Sequence, residues 1–165
     1  MFSRFPRWIY FLLFTAGIAL GAWRVYAWSP ERYVPEKFAS FIERIEKNRW
    51  SMAGWIVDSS YSDRWGYEKE SLVDSGRSVF RHFQWIEIRR GEETWKFAPG
   101  SATVTVTLEL RGEGNQMATM AKDTASAATE PFTFTFRKTG VMPWSWRLVS
   151  IEQPQLKIGP GQRSF

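Results

Sequence analysis

One eleven-residue stretch, residues 101–111, alternates between polar and apolar side chains along its whole length. A period of two with many β-branched residues is typical of a strand that buries one face and exposes the other. Such a strand needs neighbours along its edges and a cover over its apolar face, so we expect the rest of the domain to supply both. The apolar positions are Val104, Val106, Leu108 and Leu110, and the polar positions are Thr103, Thr105, Thr107 and Glu109.

Four further segments carry strand patterns, and short turn sequences separate them. They are residues 84–90, 94–98, 131–138 and 144–153. Phe132, Phe134 and Phe136 alternate with polar residues in the third of them, as a half-buried strand requires. Residues 112–130 are small and polar and show no apolar period, so we predict a flexible hairpin tip there.

Helical spacing precedes the strands. Between residues 35 and 47, the apolar side chains of Phe38, Phe41, Ile42 and Ile45 recur at i, i+3, i+4 and i+7. This spacing predicts a helix with one buried stripe. Residues 29–34 form a linker or the start of that helix, a short second helix follows from residue 48, and a third extends over 67–83. Helices followed by an antiparallel meander indicate an α+β fold.

The N-terminal segment has the form of a membrane anchor. Residues 8–28 contain a single charge, Arg24, and at about 1.5 Å per residue a helix of this length crosses a bilayer. Trp8 and Tyr10 at one end and Trp23 and Trp28 at the other form an interfacial aromatic belt. We therefore predict a single-pass membrane protein with residues 1–7 in the cytoplasm and the domain beyond the membrane. The alternative is a cleaved signal peptide.

The charge distribution argues against a nucleic-acid partner. The chain carries a net charge of +5, but three of its basic residues lie in the first 28, and after them 19 basic and 17 acidic side chains are interspersed. A phosphate-binding surface needs a concentrated basic patch, which the linear sequence does not show. There is no cysteine, which excludes disulfides and thiolate metal sites.

The order of three helices and four or five long strands resembles the NTF2-like (nuclear transport factor 2-like, SnoaL-like) superfamily. The segment DSSYSDRWGYEKESLVDSGRSVFRHFQWIEI looks like that family's passage from the second helix into the first long strand, and WSWRLVSIEQP looks like its closing strand. The resemblance covers residues 35–154 and leaves 155–165 as a C-terminal tail. It implies a cone, in which about three helices pack on a curved antiparallel sheet of four to five strands. A pocket lies at the open end of the cone. Sheet-face homodimers are common in the family, so the resemblance also implies a homodimer.

The resemblance also supplies candidate site residues. Asp58, Tyr61 and Asp63 lie where isomerase-like members place pocket carboxylates and hydroxyls, and a carboxylate beneath aromatic walls has the raised pKa that proton shuttling needs. The alternative is that these residues cap the second helix and form a turn. No second acid is found on a late strand, so the isomerase pattern is incomplete. The candidate residues for lining a ligand pocket are Trp55, Tyr61, Trp65, His82 and Trp85.

The residues and the resemblance support two alternative hypotheses about function. The first is a non-catalytic binding or assembly module, with a small apolar ligand as one possible partner. The second is a small cofactor-independent isomerase or cyclase that uses Asp58 or Asp63 as base. We expect neither a metal nor a cofactor, since the single histidine, His82, and the scattered carboxylates offer no ligand cluster. A carboxylate inside an apolar pocket would favour the enzyme.

Overall fold

The computed structural model describes residues 14–23 and 30–156, which form five helices and six strands. The helix over residues 14–23 is α1. The other elements are α2 (Pro30–Glu46), α3 (Trp50–Gly54), α4 (Lys69–Phe80), β1 (Phe83–Arg90), β2 (Thr94–Ala98), β3 (Ser101–Val106), β4 (Leu108–Gly114), α5 (Gln116–Ser126), β5 (Phe132–Lys138) and β6 (Trp146–Glu152).

The sheet is built around one long bent hairpin. Its first arm is β1 and β2 and its second arm is β3 and β4, joined by a turn in which Gly100 has a φ of +73°. The arms bend where Gly91 N–H donates to the carbonyl of Thr107 at 2.9 Å. A Cβ at residue 91 would lie 2.2 Å from the Thr107 hydroxyl, so a larger residue at this crossing would force the Thr107 side chain to move. The bend separates a two-stranded sheet, β1-β4, from a four-stranded sheet, β2-β3-β5-β6, all antiparallel.

Helix α2 covers the apolar face of the four-stranded sheet. The strand register places Trp95, Val104, Phe134 and Ile151 side by side across all four strands. The ring of Phe38 lies on this row, with its centroid 4.9 Å from that of Phe134. The predicted stripe on α2 is therefore confirmed, since Phe38, Phe41, Ile42 and Ile45 are all less than 9% exposed.

Residues 112–130 differ from the prediction. β4 continues to Gly114, and Gln116–Ser126 forms helix α5, so the interpretation of this segment as a hairpin tip without secondary structure is wrong. Asn115 is the N-cap of α5, and its side-chain oxygen accepts from the backbone N–H groups of Met117 and Ala118. An N-cap of this kind satisfies donors that a helix start otherwise leaves unpaired.

The N-terminal prediction also needs correction. Among the residues that the structure describes, no helix is long and apolar enough to cross a membrane. The ten described residues of α1 span about 15 Å, about half the thickness of a bilayer core. This finding contradicts the prediction of a single-pass membrane protein with an extracytoplasmic domain. Residues 8–13 and 24–28 of the predicted anchor lie outside the described residues.

Candidate functional site

The site that stands out is an apolar pocket between the helices and the concave side of the sheets. Its volume is about 250 Å³. It is lined by parts of α2, α3, α4, α5, β1, β4, β5 and β6, so that no single stretch of sequence contains it. All fifteen lining side chains are hydrophobic.

The lining divides into a buried floor and a half-buried rim. The floor comes from α2, α3 and β5, and the rim comes from α4, α5, β1, β4, β5 and β6. The floor consists of Phe41, Ile42, Ile45, Trp50 and Phe134, and the rim of Leu72, Val79, Phe80, Ile88, Leu108, Leu110, Ala121, Ala125, Phe132 and Ile151.

Small side chains on α5 contribute to the open space. Ala118, Ala121 and Ala125 recur at i, i+3 and i+7, so they share one face of the helix. Ala118 is 2% exposed, and the other two are on the pocket rim. A side chain of ordinary size at either rim position would extend into the pocket. The sequence signal for this element was Asn115 followed by alanine-rich sequence of high helix propensity.

The side chains that line the pocket offer no polar group to a ligand. None of the described lining residues carries a carboxylate, a hydroxyl, an imidazole or a cationic side chain. The indole nitrogen of Trp50 has almost no accessible surface, so it does not form part of the pocket wall. This atom is buried and has no hydrogen-bond partner among the described residues. The pocket can therefore hold an apolar molecule, and it offers no acid or base to act on one.

Asp63, Tyr61 and Trp65 form a hydrogen-bonded loop cluster instead of a catalytic group. One Asp63 carboxylate oxygen accepts from the backbone N–H groups of Trp65 and Tyr67, each at 2.9 Å. The other accepts from the Tyr61 hydroxyl at 3.0 Å. The Trp65 indole N–H donates to the Leu156 carbonyl at 2.7 Å. Both oxygens of Asp63 are thus engaged in holding the loop.

The pKa of Tyr61 is shifted in the direction that keeps its proton. The side chain is 2% exposed, and burial raises the pKa of the phenol well above its usual value, assisted by the neighbouring charge of Asp63 and the hydrogen bond to it. A phenol in this state keeps its proton, donates a hydrogen bond to Asp63 and does not act as a base near neutral pH. The alternative stated for these residues, a structural turn, is what their contacts support.

Asp58 and Trp55 lie together in a different place. They share a small surface cleft with Lys69 and Arg147, outside the apolar pocket. Asp58 accepts from the hydroxyl of Ser60 at 2.7 Å and from its N–H at 2.9 Å. These hydrogen bonds lower the pKa of Asp58, whereas a general base beneath aromatic walls needs a raised one. Trp55 is 68% exposed.

His82 and Trp85 also lie outside the pocket lining. The side-chain amide of Asn115 donates to His82 Nδ1 at 2.9 Å, so the imidazole supports the cap of α5. Trp85 is 48% exposed on β1. Of the predicted pocket residues Trp55, Tyr61, Trp65, His82 and Trp85, none is among those lining the apolar pocket.

A wider, charged groove lies on the outside, between α2 and β1. Its carboxylates are largely occupied by the protein itself. Glu46 accepts from the backbone N–H of Ile88, and Arg90 pairs with Glu93 at 2.9 Å. In residues 14–23 and 30–156, no group of three or more His, Asp or Glu side chains is placed so that it could hold a metal ion.

Comparison with known proteins finds structural neighbours only. No protein-family model matches the sequence, and no curated protein matches it significantly. A candidate dehydratase of the NTF2-like family from Streptomyces avermitilis matches with a TM-score of 0.56 at 14% identity, over 74% of this chain and 95% of that one. A candidate scytalone dehydratase from Novosphingobium aromaticivorans gives 0.54 at 7% identity, over 82% and 95%.

Bd1075 from Bdellovibrio bacteriovorus matches with a TM-score of 0.56 at 10% identity, over 73% of this chain and 39% of Bd1075. This chain therefore spans about two fifths of the length of that protein. The chain has the NTF2-like fold. The fold predicted from element order is thus confirmed. At these identities the likeness shows the fold alone, and one NTF2-like scaffold carries many unrelated functions.

Proposed function

We propose that this NTF2-like domain is a non-catalytic binding module that takes one small apolar ligand into the pocket between α2, α3, α4, α5 and the sheets. The observation that carries the proposal is the pocket itself, about 250 Å³ with a hydrophobic lining. Concave, mostly apolar pockets are the usual form of small-molecule sites. An apolar cavity of about 150 Å³ is enough to bind benzene, so this one has room for a bicyclic molecule.

The contacts of the candidate acids support binding over catalysis. An isomerase or cyclase of the predicted kind needs a carboxylate facing its substrate. Asp58 and Asp63 both lie outside the pocket lining and are held by hydrogen bonds from Ser60, Tyr61 and the loop backbone. The homodimer through the sheet face and the absence of a nucleic-acid partner stay predictions.

Two alanines provide the test. Ala121→Leu and Ala125→Leu each add three carbons at the pocket rim, whereas Ala127→Leu adds the same atoms at an exposed position just beyond α5. The probe is 2-ethylnaphthalene, a neutral bicyclic hydrocarbon, and calorimetry measures its dissociation constant. Thermal unfolding of each variant shows whether the fold is retained.

We expect saturable one-to-one binding by the unsubstituted chain. The rim variants should weaken it about tenfold or more, which corresponds to about 1.4 kcal/mol of lost contact. Their melting temperatures should be unchanged or higher, because filling a cavity stabilises a protein. Ala127→Leu should bind like the unsubstituted chain. Equal binding by all the variants, or no saturable binding at all, would overturn the proposal.

A further inference from the structure

The loop at one end of the four-stranded sheet exposes a run of apolar side chains. Residues 139–145 connect β5 to β6 and contain no charged side chain. Val141, Met142 and Trp144 are 83%, 50% and 57% exposed. Single exposed apolar residues are common on protein surfaces, but three within four positions form an apolar patch that has no partner within the domain.

The loop has a backbone conformation that keeps these side chains in water. Thr139 N–H donates to the Ser145 carbonyl at 2.8 Å, and Ser145 N–H donates to the Met142 carbonyl at 3.0 Å. Pro143, between the exposed residues, is buried. Because the loop is closed by its own backbone and packed through its proline, the exposed side chains project from the end of the sheet. None of them lines the apolar pocket.

Cations flank the loop on both strands. Arg137 on β5 lies opposite Arg147 on β6, and Lys138 is the last residue of β5. The neighbouring Phe136 and Leu148 are fully buried, so the two arginines lie on the outer face of the sheet. In the part of the chain that the structure describes, none of the three cations forms an ion pair. Like charges directly opposite each other destabilise a sheet, so this arrangement favours an anionic partner.

The charge around Arg147 is predominantly positive. This residue lines a surface cleft with Trp55, which is 68% exposed, and with Asp58. Asp58 is the one acid among the described residues that line the cleft, and its carboxylate already accepts two hydrogen bonds from the protein. The positive field reaches helix α2, since burial, and then the charges of Arg147 and Arg44, lower the pKa of Lys37.

We propose that residues 137–147 dock the domain on an anionic lipid surface. The three exposed apolar side chains of the loop enter the headgroup region, and the three flanking cations pair with lipid phosphates. A projecting apolar tip that contains tryptophan suits the lipid interface, where this residue is enriched, whereas sites for small molecules are concave. The contact is peripheral and requires no helix that crosses the bilayer.

A single spin label measures whether the loop enters a bilayer. The full chain has no cysteine, so Val141→Cys carries one nitroxide at the loop, and Ser126→Cys carries the control label at the end of α5. The whole of β5 separates the two positions, since α5 precedes this strand and the loop follows it. The vesicles are phosphatidylcholine, alone or mixed with phosphatidylglycerol. Access of the label to oxygen and to a water-soluble nickel complex gives its depth.

We expect the Val141→Cys label to lie about 5–10 Å inside the headgroup boundary of the mixed vesicles. It should stay in water with phosphatidylcholine alone, and the Ser126→Cys label should stay in water with both. The label reports the position of this loop, whichever other part of the chain contacts the vesicle. Because residue 141 is 83% exposed, the substitution leaves the packing of the domain unchanged.

Titration of the Val141→Cys chain with mixed vesicles separates the contributions of charge and apolar contact. Arg137→Gln should raise the lipid concentration for half-maximal insertion about fivefold, since a cation near an anionic surface contributes about 1 kcal/mol. Trp144→Ala should raise it by at least the same factor. The matched controls, Lys122→Gln on α5 and Trp85→Ala on β1, should leave it unchanged.

Three results would overturn the inference. They are a Val141→Cys label that stays accessible to the nickel complex on mixed vesicles, equal insertion into both kinds of vesicle, and equal titrations for Arg137→Gln and Lys122→Gln. The apolar pocket takes no part in these measurements, so none of these results bears on the proposed binding function.

Discussion

Removing the Asp63 carboxylate should destabilise the domain more than any other change in the loop between α3 and α4. Asp63→Ala removes three hydrogen bonds, from Trp65 N–H, Tyr67 N–H and the Tyr61 hydroxyl, all of 3.0 Å or less. Hydrogen bonds to a charged group contribute about 1.5–3 kcal/mol each, but the two backbone donors can turn to water in a half-exposed loop. The Tyr61 hydroxyl cannot, because that residue is 2% exposed.

Asp63→Ala should therefore lower the free energy of unfolding by about 3 kcal/mol. Most of this loss comes from the Tyr61 hydroxyl, which stays buried without an acceptor, and from one hydrogen bond to the charged carboxylate. For a domain of this size that is a fall of about 6–12 °C in melting temperature. Tyr61→Phe removes the phenol hydroxyl while Asp63 keeps its backbone donors, so it should cost about 1 kcal/mol. Urea unfolding followed by tryptophan fluorescence measures both free energies.

Asp123→Ala is the matched control for this experiment. Asp123 is exposed on α5, and its removal should change the free energy of unfolding by less than about 0.5 kcal/mol. The reasoning fails if Asp63→Ala costs no more than Tyr61→Phe, or no more than the control. Either result would mean that the carboxylate is free of the loop and available for chemistry, as the enzymatic hypothesis requires.

Further predictions concern the core, α3, α5 and pH. Ile45→Asp puts an unpaired charge at a 7%-exposed position and should cost about 4 kcal/mol in urea unfolding; an unchanged melting temperature would contradict it. Gly76→Ala should cost about 1 kcal/mol despite better helix propensity, because its methyl group displaces Trp50; a stabilised variant in the same assay would contradict this. Asn115→Ala should cost about 1 kcal/mol and lower hydrogen-exchange protection at the start of α5. Burial raises the pKa of Tyr61, so the stability that its proton provides is present below pH about 10 and is lost above it. Tyr61→Phe should then lose less stability than the unsubstituted chain between pH 9 and 11.

The elements that were predictable from sequence are those that bury one face with large side chains. Val104 and Val106 on β3 and Phe38 on α2 are less than 2% exposed because period two and period 3.6 each place such residues on a single side. The sequence leaves residues 29–34 as a linker or as the start of the first helix, and α2 runs from Pro30 to Glu46 with Pro35 inside it. Buried Val34 and Phe38 flank it, and their packing outweighs the one lost backbone hydrogen bond.

α5 escaped prediction because its buried face is made of alanine. The helical period is carried by Ala118, Ala121 and Ala125. The periodicity argument used for the other helices counted only large apolar residues, so it missed these alanines. The polar residues between them made the segment resemble a loop. Its start was fixed by two residues far apart in sequence, Asn115 and His82, whose hydrogen bond only the fold reveals.

The site was harder to predict than the fold, because the pocket is a gap between side chains and has no residue type of its own. Candidate residues chosen by chemical type, such as Asp58 and Asp63, proved to be those that loops use to satisfy their own backbone. The pocket lies beside α5, where the side chains of the helices and the sheets leave space between them. The sequence does not show where such a space will form. Ala121 and Ala125 contribute to that space because their side chains are small. Enlarging an alanine there should therefore weaken binding about tenfold or more while leaving every residue with conventional catalytic chemistry in place.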